Sequence, residues 1–262
     1  MSLLRTTTDR ETHRGISESA GYGLVIDEPP SNETRMTRAS ALARLGVLLA
    51  AVATALGWRI PTPRAAGAAS CVLTPEQTEG PYYIAGEKLR RDITQGKPGV
   101  SLQLRLKVVD SSTCSPIGGA IVEVWHCDAG GLYSGFVAAS SGAPGSGGGP
   151  TDRATFLRGG QRADASGTAV IKTIYPGWYR GRTVHVHVKV HVGGSIVHTG
   201  QLYFPDALTD RVYVQPPYSR RPSRDTRNAT DGIFASGGAS SVLHLRKSGR
   251  GYVGALTMGV RR

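Results

Sequence analysis

Two imidazoles spaced two residues apart in a β-like run are the groups in this sequence best placed to do chemistry. His185 and His187 lie in Tyr179-Arg180-Gly181-Arg182-Thr183-Val184-His185-Val186-His187. Side chains alternate faces along a strand, so both imidazoles point toward one place in space. A metal ion needs that arrangement, and neutral imidazole is a common metal ligand. Alone, the pair suits zinc or copper as well as iron, and an alternating surface strand carries the same pattern. Tyr179, on the turn entering the strand, offers a phenolate to the same place. Tyr133 stands in a second constrained turn, Gly130-Gly131-Leu132-Tyr133-Ser134-Gly135. Ferric iron is a hard cation that favours anionic oxygen, so two tyrosines with two histidines speak for Fe(III). Zinc sites draw on His, Cys and carboxylate. The common non-haem Fe(II) site uses two His and one carboxylate. His126-Cys127-Asp128 supplies the local half of that last pattern and is a rival if a distant histidine completes it. His191 and His198 raise the local histidine density, as ordinary surface residues would also do.

These residues need strands to position them. Ser101–Val109, Ala120–Trp125, Thr168–Ile174, Val184–Val192 and Ile196–Phe204 read as strands, as do the shorter Ser241–Leu245 and Tyr252–Met258. Val192-Gly193-Gly194-Ser195 signals a hairpin between two of them. Residues 138–150 are Ala, Ser, Gly and Pro, which reads as a surface loop. No segment after Cys71 carries a long 3.6-residue apolar period. Short strands with Gly/Pro turns predict an all-β fold, a β-sandwich of mixed and antiparallel sheets with long loops.

Residues 1–35 are polar and aperiodic and read as a disordered or non-native extension. Within residues 36–70, basic residues precede an apolar run from Leu45 to Trp58, and small residues follow from Ala65 to Ser70. That is the pattern of a secretory signal. The run is about 14 residues, short of the ~20 that span a bilayer. The sequence thus predicts an exported protein whose only membrane link is this segment, as signal or as anchor. Residues 71–262 remain as one domain of comfortable size. They hold 23 of the 31 Lys/Arg and 13 of the 19 Asp/Glu, a basic balance that favours acidic partners. The basic residues are scattered, without a basic-aromatic stripe, so nucleic acid is not an expected partner. Cys71, Cys114 and Cys127 leave one pair and one free thiol in an oxidising compartment, with the pairing open.

Four motifs stand in order over residues 71–206. They are Thr78-Glu79-Gly80-Pro81-Tyr82-Tyr83, Val124 through Tyr133, Tyr175-Pro176-Gly177-Trp178-Tyr179 through His187, and Gly200-Gln201-Leu202-Tyr203-Phe204. With them the chain resembles the intradiol ring-cleavage dioxygenases, the family of protocatechuate 3,4-dioxygenase and catechol 1,2-dioxygenase, and most of all its exported bacterial branch. The resemblance implies an Fe(III) cofactor held by Tyr133, Tyr179, His185 and His187. Tyr133 and His185 would be equatorial, Tyr179 and His187 axial. It implies that Tyr179 takes a proton from the substrate, that Arg182 stabilises charge developing on its ring, and that Gln201, Pro81 and Tyr82 line its pocket. The partners so implied are a small aromatic diol and O2, with a cis,cis-muconate-type diacid as product. His126 and Asp128 fall in a family motif but are not family ligands. The stretch from Tyr179 to His185 is short, and no long N-terminal helical dimerisation domain is visible, so specificity and oligomeric state do not carry over. A non-catalytic alternative is an exported β-sandwich that binds wall or aromatic polymers.

Overall fold

A computed structural model describes residues 71–262 apart from 87 and 142–148. The expectations for residues 1–35 and 36–70 fall outside the described residues. Among the described residues, eight strands form two four-stranded sheets. The first runs in the order β4 (Thr168–Ile174), β1 (Ser101–Asp110), β8 (Gly251–Val260), β7 (His244–Ser248). It is mixed, because β1 and β8 are parallel while its other pairs are antiparallel. The second sheet runs β3 (Arg158–Arg162), β2 (Ile121–Trp125), β5 (His185–Val192), β6 (Ser195–Tyr203), all antiparallel. Short helices lie in the connections of the described residues: α1 (Val137–Ser140), α2 (Asp206–Tyr213) and α3 (Gly232–Ala235).

The core follows from the period of two. Leu102, Leu104, Leu106 and Val108 of β1 are buried, as are Val122 and Val124 of β2 and Val186, Val188 and Val190 of β5. Even-numbered residues of β5 therefore face the other sheet. Odd-numbered ones, His185, His187 and Lys189, point to the outer face of the second sheet and are still buried. That outer face is covered by chain rather than by a third sheet, since Gly80 abuts the His187 ring and Trp125, Tyr133 and Tyr179 pack around the two histidines. The strand is buried on both sides where His185, His187 and Lys189 stand, and the packed layer of side chains between sheet and loops is where the chemistry can sit.

The predicted strands are present with end shifts, and the hairpin is formed at Gly193 and Gly194, both at positive φ. Three expectations need correction. The first strand of the last short pair begins later, with β7 at His244 and a 3-10 turn over Gly238–Ser241. Helix α1 takes in residues 138–140 of the expected loop. The strand β3 and helix α2 were not foreseen. β3 reads Arg-Gly-Gly-Gln-Arg, with no apolar alternation, and α2 is only two turns long. The disulfide joins Cys71 to Cys114, and Cys127 is the buried free thiol.

Candidate active site

The two loops that bring the tyrosines to the histidine strand pack backbone against backbone. Gly177 N donates to Asp128 O at 3.1 Å, and a Cβ on Gly177 would sit 2.4 Å from that oxygen. Only glycine permits this approach. Asp128 also shapes its own loop. Its Oδ1 accepts from Gly130 N at 2.8 Å and Leu132 N at 3.0 Å, while Oδ2 pairs with Lys97 at 2.7 Å. His126 is fully buried, with Nδ1 2.8 Å from Cys127 O and Nε2 2.7 Å from Thr173 Oγ1. The rival His126/Asp128 ligand pair is thus spent on holding the loop. Tyr133 leaves that loop fully buried, its N–H donating to Ser140 Oγ of α1 at 2.9 Å.

Tyr179 Oη lies 3.1 Å from His185 Nε2, and His185 Nε2 lies 3.1 Å from His187 Nε2. Donor atoms about 2.1 Å from one metal and at right angles to each other are separated by ~3 Å, so the spacing fits ligands of a single ion. His185 Nδ1 lies 2.6 Å from the Thr183 carbonyl oxygen. A carbonyl only accepts, so Nδ1 carries the proton and Nε2 presents its lone pair inward, the usual outer-shell arrangement for a metal-binding histidine. His187 is stacked on Trp125, with centroids 4.9 Å apart and planes 5° apart. On its other side a Cβ on Gly80, whose φ is +73, would come within 3.0 Å of the ring.

Electrostatics keeps these groups in usable states. Burial, helped by the Arg182 charge, pulls His185 down to about 3, and burial with neighbouring His185 drives His187 well below the ordinary histidine range. Both imidazoles are therefore neutral, as ligands must be. Burial pushes the phenols of Tyr133 and Tyr179 upward, while the Arg182 charge opposes it. A buried phenolate is costly until a cation faces it. The Tyr133 hydroxyl is buried without a hydrogen bond of good geometry; the Tyr179 hydroxyl beside it acts on it both by charge and as a hydrogen-bond neighbour. An orphaned phenol, a second phenol and two neutral imidazoles fit a hard, highly charged ion. Among the described residues no group of three or more His, Cys, Asp or Glu converges, as zinc or the common Fe(II) site would ask.

Arg182 and Gln201 stand beside this cluster. Gln201 is the β6 neighbour of His187 in register, and Arg182 Nη2 donates to its Oε1 at 2.6 Å. Gln201 Nε2 donates to Thr78 O at 3.0 Å. Tyr82 is half-buried, its ring 4.6 Å from that of Tyr133 and 6.3 Å from that of Tyr179, while Pro81 is exposed on the adjoining turn. The structure therefore gathers seven of the eight residues expected at the site. His191 pairs with Glu123 at 2.8 Å and His198 is buried elsewhere on β6, so neither joins the cluster. Two neighbours were not foreseen. Tyr203 donates to Gln77 or Gln201, at 2.9 and 3.1 Å, and Asp231 pairs with Arg182 at 2.9 Å. Tyr203 was legible in principle, two residues after Gln201 on one strand face. Asp231 is 49 residues from Arg182 and carried no signal beyond that of a helix cap.

Residues 78–216 match a family model described as Dioxygenase. The fold superposes on an intradiol ring-cleavage dioxygenase from Tetranychus urticae with a TM-score of 0.69 and 34% identity, over 73% of this chain and 95% of that one. The chain belongs to the intradiol ring-cleavage dioxygenases. The dioxygenase domain of a carbohydrate-binding fusion protein from Streptomyces sp. SirexAA-E is a further structural relative, with 30% identity, a TM-score of 0.54, and 72% and 99% of the two chains covered. A chlorocatechol 1,2-dioxygenase from Cupriavidus pinatubonensis is 29% identical over 157 residues, 50% of this chain and 56% of that protein. The chain thus spans a little over half the length of this curated relative. All four candidate ligands of this intradiol dioxygenase lie inside the family match, and Asp231 lies outside it.

Proposed function

We propose that this protein is an Fe(III)-dependent intradiol dioxygenase that cleaves catechol-type aromatics with O2 to cis,cis-muconate-type diacids. The carrying observation is the convergence of the Tyr179 hydroxyl and two neutral imidazoles at 3.1 Å spacing, with the orphaned Tyr133 hydroxyl alongside. Tyr133, Tyr179, His185 and His187 would hold the ion. Bound there, ferric iron supplies Lewis acidity and draws electron density from a deprotonated catechol, so that a ring carbon reacts with O2. The chain's own groups do the rest. Tyr179, the more exposed of the two phenols, enters as phenolate and holds one substrate proton at Oη. The neighbouring Arg182 charge favours that phenolate. A fixed guanidinium in a dry site also stabilises negative charge developing on the ring, with no reorganisation at the moment of reaction. Gln201 holds Arg182, and Tyr82 offers a ring face beside the tyrosines.

Residues 36–70 would serve as the export signal of this enzyme, releasing residues 71–262 outside the cytoplasm. The test of function is oxygen uptake by iron-loaded protein across catechol, protocatechuate, hydroxyquinol and lignin-derived catechols, with product analysis. A tyrosinate-to-iron charge-transfer band that shifts on adding catechol is expected, as are intradiol products. A colourless iron-loaded protein would sink the ferric assignment. Full iron loading without oxygen uptake on any catechol would favour a polymer-binding sandwich. N-terminal sequencing of protein recovered outside the cytoplasm tests the export signal, and a start within residues 1–35 would defeat it.

A further inference from the structure

We propose that Asp231 is a positioning residue for Arg182, a buried carboxylate from beyond the family-matched stretch that fixes the guanidinium before substrate arrives. The inference rests on the catechol-cleaving reading above. The Asp231 side chain has no solvent exposure, and that of Arg182 has 15%. Asp231 Oδ2 accepts from Arg182 Nε at 2.9 Å and from Thr183 N at 2.7 Å. Its Oδ1 accepts from Ile233 N and Phe234 N, both at 2.8 Å, and so caps α3. Three backbone amides from two separate segments therefore set the plane of the carboxylate, and the carboxylate sets the plane of the guanidinium. On the far side, Arg182 Nη2 reaches Gln201 Oε1. An arginine on a strand-entry turn next to Gly181 has many rotamers to choose from, and gripping both sides of the fork leaves one. The same C-terminal stretch grips that turn again where Gly181 N donates to Asp225 Oδ1 at 3.2 Å. Buried opposite charge also offsets part of the cost of leaving Arg182 largely desolvated. Catalytic work stays with Arg182; Asp231 acts through it.

Asp231→Asn separates this role from general stability. The amide has one acceptor oxygen. With that oxygen capping α3, its nitrogen faces two N–H donors, those of Arg182 and Thr183, and repels them; flipped, it uncaps α3. The experiment uses the iron-loaded full chain, with 4-nitrocatechol affinity and catechol kcat/KM as readouts and iron content as control. Asp231→Asn is expected to lower kcat/KM by roughly 10- to 100-fold at unchanged iron content, the order that misplacing a catalytic group costs. On an Arg182→Ala background the same substitution should change affinity and kcat/KM by less than about twofold, because coupled residues are non-additive. An undiminished penalty on that background would overturn the proposal, marking Asp231 as merely structural. Should Asp231→Asn not fold, Arg182→Lys replaces it, since lysine keeps the charge and lacks the Nε–H that Asp231 accepts. Arg182→Lys is expected to show a comparable loss, and full activity in it would overturn the proposal. A wild type that binds 4-nitrocatechol without cleaving catechol would defeat the cleavage reading alone, because the affinity cycle still decides the pairing. A wild type that does not bind it overturns both.

Discussion

Tyr133 sets stability against function within one side chain. Its hydroxyl is buried without a good hydrogen bond, a condition that costs about 1–3 kcal/mol in a protein interior. Tyr133→Phe keeps the ring, which packs on Tyr82 at 4.6 Å, and deletes only the orphaned oxygen. The metal-free variant should therefore be as stable as wild type or up to about 2 kcal/mol more stable in urea unfolding. Iron retention after dialysis and the charge-transfer band should fall sharply. A destabilised apoprotein with intact iron binding would mean that this oxygen serves packing instead. At this scale the sequence was readable wherever residue type and strand period both spoke. His185 and His187 share a face by period alone, and Tyr133 and Tyr179 stand in turns that read as constrained from their glycines and proline. Asp231 was unreadable because a capping aspartate before Gly232 looks the same whether or not its second oxygen reaches a distant arginine.

At the scale of elements, the strands that alternate strongly were legible and those whose pairing is set by neighbours were not. β1 and β5 carry their apolar faces openly, whereas β3 is a strand only because β2 on one side and residues 88–90 on the other supply its partners. Burial of both faces of β5 was equally hidden, since a run of His, Lys and Val resembles a half-exposed strand until the covering loops are known. The loop from His126 to Tyr133 shows what that cover demands. Fully buried His126 has its pKa pulled down to about 4, chiefly by desolvation. The unfolded value is ~6.5. A folded value below the unfolded one means that the unfolded state binds the proton first. The stability His126 contributes is then complete above pH ~6.5 and is lost as pH falls toward about 4. His126→Gln should lower the slope of unfolding free energy against pH by up to about 1.4 kcal/mol per pH unit between pH 6 and pH 5. Urea titrations of both proteins at several pH values give that slope. Equal slopes would mean that His126 opens to solvent or keeps its proton when folded.

For the whole molecule, the lever is the tie between the start of the domain and the rest of it. Cys71 and Cys114 close a loop of 43 residues that carries the Glu79–Tyr83 cover and all of β1. Cross-linking a loop of that length lowers the entropy of the unfolded chain, for a gain of about 4 kcal/mol in the chain-entropy model and 2–4 kcal/mol in typical measurements. The chain has three cysteines, and the third, Cys127, is buried with its thiol pushed up to about 12, mainly by burial. It is a poor thiolate for exchange, so a reductant acts on one bond. That bond persists in an oxidising compartment and not in a reducing cytoplasm, which agrees with the proposed export of residues 71–262. The protein in dithiothreitol should therefore lose about 2–4 kcal/mol of unfolding free energy relative to oxidised protein. Cys71→Ser with Cys114→Ser should lose a similar amount and respond no further to the reductant. If reduction leaves stability unchanged while free-thiol titration confirms that the bond has opened, the hydrogen bonds joining Thr74 to Gly259 and Gln77 to Thr199 hold the start of the domain without it. The cysteine pair would then lose its standing as support for an oxidising destination.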